Sequence, residues 1–174
     1  MSLSAEDFEA LFDSAHQSAV HLELRDSYAT SEEDGDYARW LRTGVANLDP
    51  ESDFWLEWTK LVRRTVGRGV VVRRVRIVSE PVTDYVRYEY AGTPVNLSLG
   101  EGVRWLPRRN TSELALPGND FWLIDGKTVL WNHFSGDGEV VGHEITANPV
   151  AAQLCAQAFV AAWERGIEHD QYNI

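Results

Sequence analysis

The stretch Gly118–Glu139, GNDFWLIDGKTVLWNHFSGDGE, decides the fold. Its two apolar runs, DFWLID and KTVLWNHF, flank Asp125-Gly126. Asp and Gly suit the left-handed positions of a tight hairpin turn, so the runs read as paired strands. The SGDG loop then leads into GEVVGHEIT, a further strand. Next, Asn148 caps a last helix with Pro149 in its first turn. Helical spacing offers Val150, Leu154, Ala158, Ala161 and Ala162 to the sheet, and Gly166 stops the helix. The tail IEHDQYNI is expected to fray.

Upstream of the hairpin, helix, glycine turn, strand and helix follow one another. DPESDFWLEWTKLVRRTVGRG places Asp49 as a cap and Pro50 in the first turn. Phe54, Trp58, Leu61 and Val62 follow helical spacing, and Gly67 and Gly69 end the helix. VVVRRVRIVS is apolar at both parities, which suits an interior strand with its arginines towards the exposed part. EPVTDYVRYEYAG is the following helix, and GVRWLP is a short strand closed by Pro107. Nearer the start, SAEDFEALFDSA is a helix capped by Ser4. SAVHLELR alternates Val20, Leu22 and Leu24 against His21 and Glu23, the pattern of a half-buried strand. SEEDGDYARWLRTG is a helix that Ser31 can cap and Gly44 stops.

The expected fold class is α/β (α+β), a mixed sheet of about five to six strands with helices packed on it. One domain spans 1–174, with a 1–48 extension of helix, strand and helix, a 49–166 α/β core and a 167–174 tail. Its 174 residues suffice for a substantial core. No apolar run is long enough to cross a membrane, and MSLSAEDFEALF lacks the basic start and apolar centre of a signal peptide. Cys155 alone makes no internal disulfide and sits in an apolar pattern, as a small core residue does. These features favour the cytoplasm.

The net charge of −11 is segregated. Residues 1–59 carry 14 acidic and 3 basic groups, 60–110 carry 4 and 11, and 111–174 carry 9 and 2. The basic middle is expected to pair with the acidic flanks of the same fold. Direct nucleic-acid binding is not expected, since the acidic total repels phosphate at long range.

Four blocks, LELRDSY, RRVRIVSEPVTDYVRYEY, GEGVRWLPR and DFWLIDGKTVLWNHFSGDG, resemble an actinobacterial family, a domain of unknown function. Its members are often encoded beside helix-turn-helix regulators. The resemblance therefore implies a regulatory accessory role, with a regulator or a second copy of the chain as protein partner. It brings no catalytic residues. More distantly, the last two-thirds resembles one half of a phospholipase D-like domain. Aligning the Asp-Gly puts Asp125 on the aspartate of that family's H-x-K-x-x-x-x-D motif, Asp120 on its lysine and Gly118 on its histidine. Glycine cannot attack phosphorus, and Asp120 would repel the phosphate it should hold. The resemblance implies the fold and contradicts the chemistry, so no enzyme is expected.

No other catalytic or metal pattern replaces that motif. His133 and His143 flank SGDGEVVG without metal-ligand spacing, and SGDGE lacks the ladder of a calcium loop. GRGV follows a helix, where a dinucleotide loop must follow a strand. No cofactor or metal is expected. Tyr85, Tyr88 and Tyr90 interleaved with Arg87 form a candidate binding surface, or else helix packing. A ligand or anion sensor would instead use the phospholipase D-like cleft near Arg73, Arg76, Arg104, Asp120, Asp125 and His133.

Overall fold

A computed structural model describes residues 3–29 and 35–174. The chain runs α1 (Ala5–Asp13), β1 (Ser18–Glu23), α2 (Gly35–Thr43), α3 (Leu56–Gly67), β2 (Val71–Val78), α4 (Asp84–Ser98) and β3 (Gly102–Pro107). It continues through β4 (Asp120–Ile124), β5 (Thr128–Phe134), β6 (Val140–Thr146), α5 (Pro149–Arg165) and β7 (Ile167–Glu168). The seven strands form one mixed sheet in the order β6-β5-β4-β1-β2-β3-β7. The hairpin predicted at Asp125-Gly126 is β4–β5, and both turn residues have positive φ, 51° and 68°.

β1 lies mid-sheet, parallel to β2 and antiparallel to β4. Residues 1–48 are therefore not an extension of a core that begins at 49. Alternation then gives each face a different character. Val20, Leu22, Val75, Ile77, Phe121 and Leu123 meet Ala152, Cys155, Ala158, Phe159 and Ala162 of α5 in one apolar core. On the opposite face α1 and α3 cover Ala19, Val72, Trp122 and Ile124. Further along that face Val86 of α4 joins Val78, Val103 and Trp105.

Several local expectations change. His21 and Glu23 are 8% and 5% exposed, so β1 is covered on both faces rather than half-buried. Arg74 and Arg76 point into the same covered side and not towards solvent, because carboxylates there pair with them. The helix expected from Asp49 begins at Leu56, after turns in which Asp49 and Ser52 bond locally. The next helix starts past Pro81, where the Thr83 hydroxyl accepts the Val86 N–H at 3.1 Å. α5 turns Ala152, Cys155 and Phe159 inward and leaves Val150 and Leu154 exposed. The tail does not fray: β7 pairs with β3, and the Tyr172 ring stacks on Trp105 at 5.7 Å. The Ser31 cap lies outside the described residues. Among the described residues, no helix is long and apolar enough to cross a membrane.

Candidate functional site

Between the sheet and α4 lies a pocket of about 320 Å³. β1, β2 and β4 supply its floor through His21, Glu23, Arg74, Arg76 and Asp120. Strand register builds this floor. His21 pairs with Arg74 and Glu23 with Arg76 across the parallel β1–β2 ladder, so four polar side chains share one face. α4 closes the pocket with Tyr85, Tyr88, Glu89 and Gly92, while Tyr28, Phe54, Trp55 and Phe134 add aromatic walls.

Glu23 is the hub of the charge network. Its carboxylate pairs with Arg74 through one oxygen and accepts the Arg76 Nε–H through the other at 2.8 Å. Arg74 also donates to Glu101 at 2.7 Å, and Glu101 accepts from Asn96 at 2.7 Å. Arg76 reaches the Thr93 hydroxyl at 2.9 Å and lies 3.6 Å from Glu89. Burial pushes the Glu23 carboxyl up, but Arg76 and Arg74 outweigh it and hold it at about 2. For Glu89 burial wins over Arg76, with repulsion from Glu23 added, and the carboxyl rises to about 8. Burial likewise lifts Asp120 to about 6, against hydrogen bonds from the Tyr28 hydroxyl and the Leu24 N–H.

His21 is different. Burial pushes its imidazole down to about 3, so the ring is neutral. Among the described residues, neither ring nitrogen has a hydrogen-bond partner, and the Glu23 carboxylate is 4.0 Å away, beyond hydrogen-bond reach. A buried polar group without a partner costs about 1–3 kcal/mol.

The structure brings Arg76, Asp120 and Tyr85 together in this pocket and disperses the other candidates. Arg73 and Arg104 turn to the α5 side, stacked over Trp163 at 4.8 and 4.3 Å. The Asp125 carboxylate sits at the hairpin corner and accepts the N–H groups of His16, Gln17 and Ser18, which holds it below its ordinary range despite partial burial. That bonding assigns Asp125 a backbone-anchoring role, away from the pocket. His133 is half-exposed on β5, 3.8 Å from Glu144, and Arg87 is an exposed partner of Asp84. Tyr90 packs on Trp105 and His169, away from Tyr85 and Tyr88. His21, Glu23, Arg74, Glu89 and Tyr28 were missed. The signal for some of them was present in the matched pairs His-x-Glu and Arg-x-Arg on successive parallel strands. Among the described residues, no three His, Cys, Asp or Glu side chains converge as metal ligands would.

The chain belongs to the family described as a domain of unknown function, DUF6879, which matches residues 6–173. No curated protein matches the sequence. The fold resembles Nuc, a phospholipase D family member from Salmonella typhimurium, with TM-score 0.55 and 17% identity over 95% of this chain and 91% of that one. It also resembles part of TrmBL2, an archaeal chromatin protein, with TM-score 0.52 and 9% identity over 94% of this chain and 49% of that one. The phospholipase D-like α/β fold is thereby established. At these identities the likeness concerns the fold alone.

Proposed function

We propose that this chain is a non-catalytic ligand-binding module whose ligand occupies the pocket between β1, β2, β4 and α4. The observation that carries the proposal is His21, buried in the pocket floor with both ring nitrogens unpartnered. A ligand with a donor and an acceptor would satisfy them. The pocket is the size of a small-metabolite site, walled by aromatic rings with a few convergent polar groups. Phospholipase D-type chemistry is not part of this reading. Position 118 is Gly, Asp120 stands at the phosphate-binding position, and Asp125 is engaged with backbone. On this reading the module works in the cytoplasm, a reading supported by its single buried cysteine.

Small-molecule fractions of a cell extract test the proposal. A ligand at one hundred times its dissociation constant adds about 2.7 kcal/mol, roughly 5–10 °C in melting temperature for a chain of this size. Gly92→Leu, which pushes a side chain towards Trp55 from the pocket wall, should abolish the shift. If no fraction stabilises the natural chain more than this variant, the proposal fails.

A second observation favours a protein partner as well. Val140, Val141 and Ile145 are exposed on the edge strand β6, and Val150, Leu154 and Val160 are exposed on α5. Exposed apolar side chains on an edge strand suit association with another protein. On this reading the module reports ligand occupancy to a helix-turn-helix regulator, the role implied by the actinobacterial resemblance, or to a second copy of itself. It does not touch DNA, since its net charge of −11 opposes that. Co-purification from the source cell would recover the partner at stoichiometric level, and recovery of nothing would count against it.

A further inference from the structure

We propose that the ligand is an organic cation, its ammonium or guanidinium group held between Asp120 and Glu89 and its body set against Tyr28 and Tyr85. This inference rests on the ligand-binding reading above and names the chemistry of that site.

The charge balance of the lining points this way. Four carboxylates, Glu23, Asp36, Glu89 and Asp120, face two guanidinium groups, Arg74 and Arg76. Both arginines are already paired with carboxylates, Arg74 with Glu23 and Glu101, and Arg76 with Glu23 and Glu89. Asp36 is paired with Arg39 at 3.0 Å. Asp120 is held by two neutral donors, the Leu24 N–H and the Tyr28 hydroxyl. Among the described residues, Glu89 has the long 3.6 Å approach of Arg76, which Glu23 already shares. The acidic groups of the pocket left without a close cation are therefore Asp120 and Glu89, and a bound cation would favour their charged forms.

An acidic cluster alone would not define a ligand. His21 adds an independent requirement: a neutral imidazole offers one acceptor nitrogen, and nothing in the pocket donates to it. An ammonium or guanidinium N–H is such a donor. The aromatic walls add a third feature. Tyr28 lies 5.8 Å from Tyr85 and 5.0 Å from Phe134, and ring faces attract a desolvated cation. An anion meets the opposite field, because both arginines are engaged and every remaining charge repels it. Burial lifts the Glu89 and Asp120 carboxyls, and a cation set beside them would draw both back towards their charged forms.

The test titrates the natural chain at pH 8 with tyramine, agmatine and putrescine, and separately with inorganic phosphate, citrate and inositol. Tryptophan fluorescence reports binding, because Trp55 lines the pocket. Thermal unfolding reports it independently. At least one of the three amines is expected to bind. Its affinity should fall tenfold or more in Asp120→Asn and in Glu89→Gln, and should hold in Glu57→Gln, which removes an exposed carboxylate from α3. Circular dichroism confirms that each variant folds. Binding by phosphate, citrate or inositol without any amine overturns the cation inference and leaves the ligand-binding reading standing. Failure of all three amines also overturns it, while the extract experiment decides the ligand-binding reading separately. Equal loss in Glu57→Gln would reduce the effect to net charge and overturn the assignment to Asp120 and Glu89.

Discussion

The two faces of the sheet are built from the same strands and obey opposite rules. On β1, Val20 and Leu22 face α5, while His21 and Glu23 face the pocket. On β2, Val75 and Ile77 stand against Arg74 and Arg76, and on β4, Phe121 and Leu123 stand against Asp120. The α5 face gains stability from apolar area removed from water. Around the pocket, the other face carries a buried ion network whose desolvation offsets most of its Coulomb attraction. It also keeps His21 without a partner. On the proposed reading, the apolar face is the scaffold and the polar face is the part that meets the ligand.

The largest effects should come from opening each face. Phe121 is fully buried against α5, and Phe121→Ala should cost about 3–5 kcal/mol in urea unfolding through the cavity it leaves. Glu23→Ala should cost about 3 kcal/mol, but for a different reason: Arg74 and Arg76 lose the carboxylate they share. pH tells the two apart: the Glu23 carboxyl is held at about 2, below its ordinary 4.5, so the cost of losing it shrinks as pH falls from 4.5 towards 2, while the Phe121 cost does not follow that titration. Gly138→Ala comes next. Gly138 has φ +89°, and an added Cβ would stand 3.0 Å from the Ala29 nitrogen, so the loop would strain and press on the segment carrying Tyr28. A cost of about 1–2 kcal/mol is expected, with weaker ligand binding measured alongside. The smallest effect should be favourable. Gly92 lies inside α4, and an added Cβ meets only Trp55 at 3.4 Å. Gly92→Ala should stabilise by about 0.5–1 kcal/mol in thermal unfolding.

The apolar face was legible in the sequence and the polar face was not. Valines at matching parity in β1 and β2 announce a buried surface, and Asp125-Gly126 announces the hairpin. A polar parity such as His21 and Glu23 ordinarily means solvent, and alternation alone cannot show otherwise. What buries it is register, which sets Arg74 beside His21 and Arg76 beside Glu23 across two strands some fifty residues apart. Glu89 was hidden similarly. It stands among tyrosines on a helix that looks like a surface cluster until α4 is laid over the floor. The tail misled for a related reason. Ile167 and Tyr172 look like stray apolar residues, yet the edge of β3 and the Trp105 ring give them somewhere to pack.

The central claim is that the polar face gives up stability to keep a charged pocket, and Glu89→Gln tests it without knowledge of the ligand. In the folded chain the Glu89 carboxyl is raised to about 8 from an ordinary 4.5. Between those values the unfolded chain has lost a proton that the folded chain still holds, so stability falls as pH rises through the window. Glutamine removes that loss. Urea unfolding at pH 8.5 should find Glu89→Gln more stable than the natural chain by about 1 kcal/mol or more, with the gain fading towards pH 4.5. A variant that is less stable at pH 8.5 would make Glu89 an ordinary structural partner of Arg76, and the contrast between the two faces would fail.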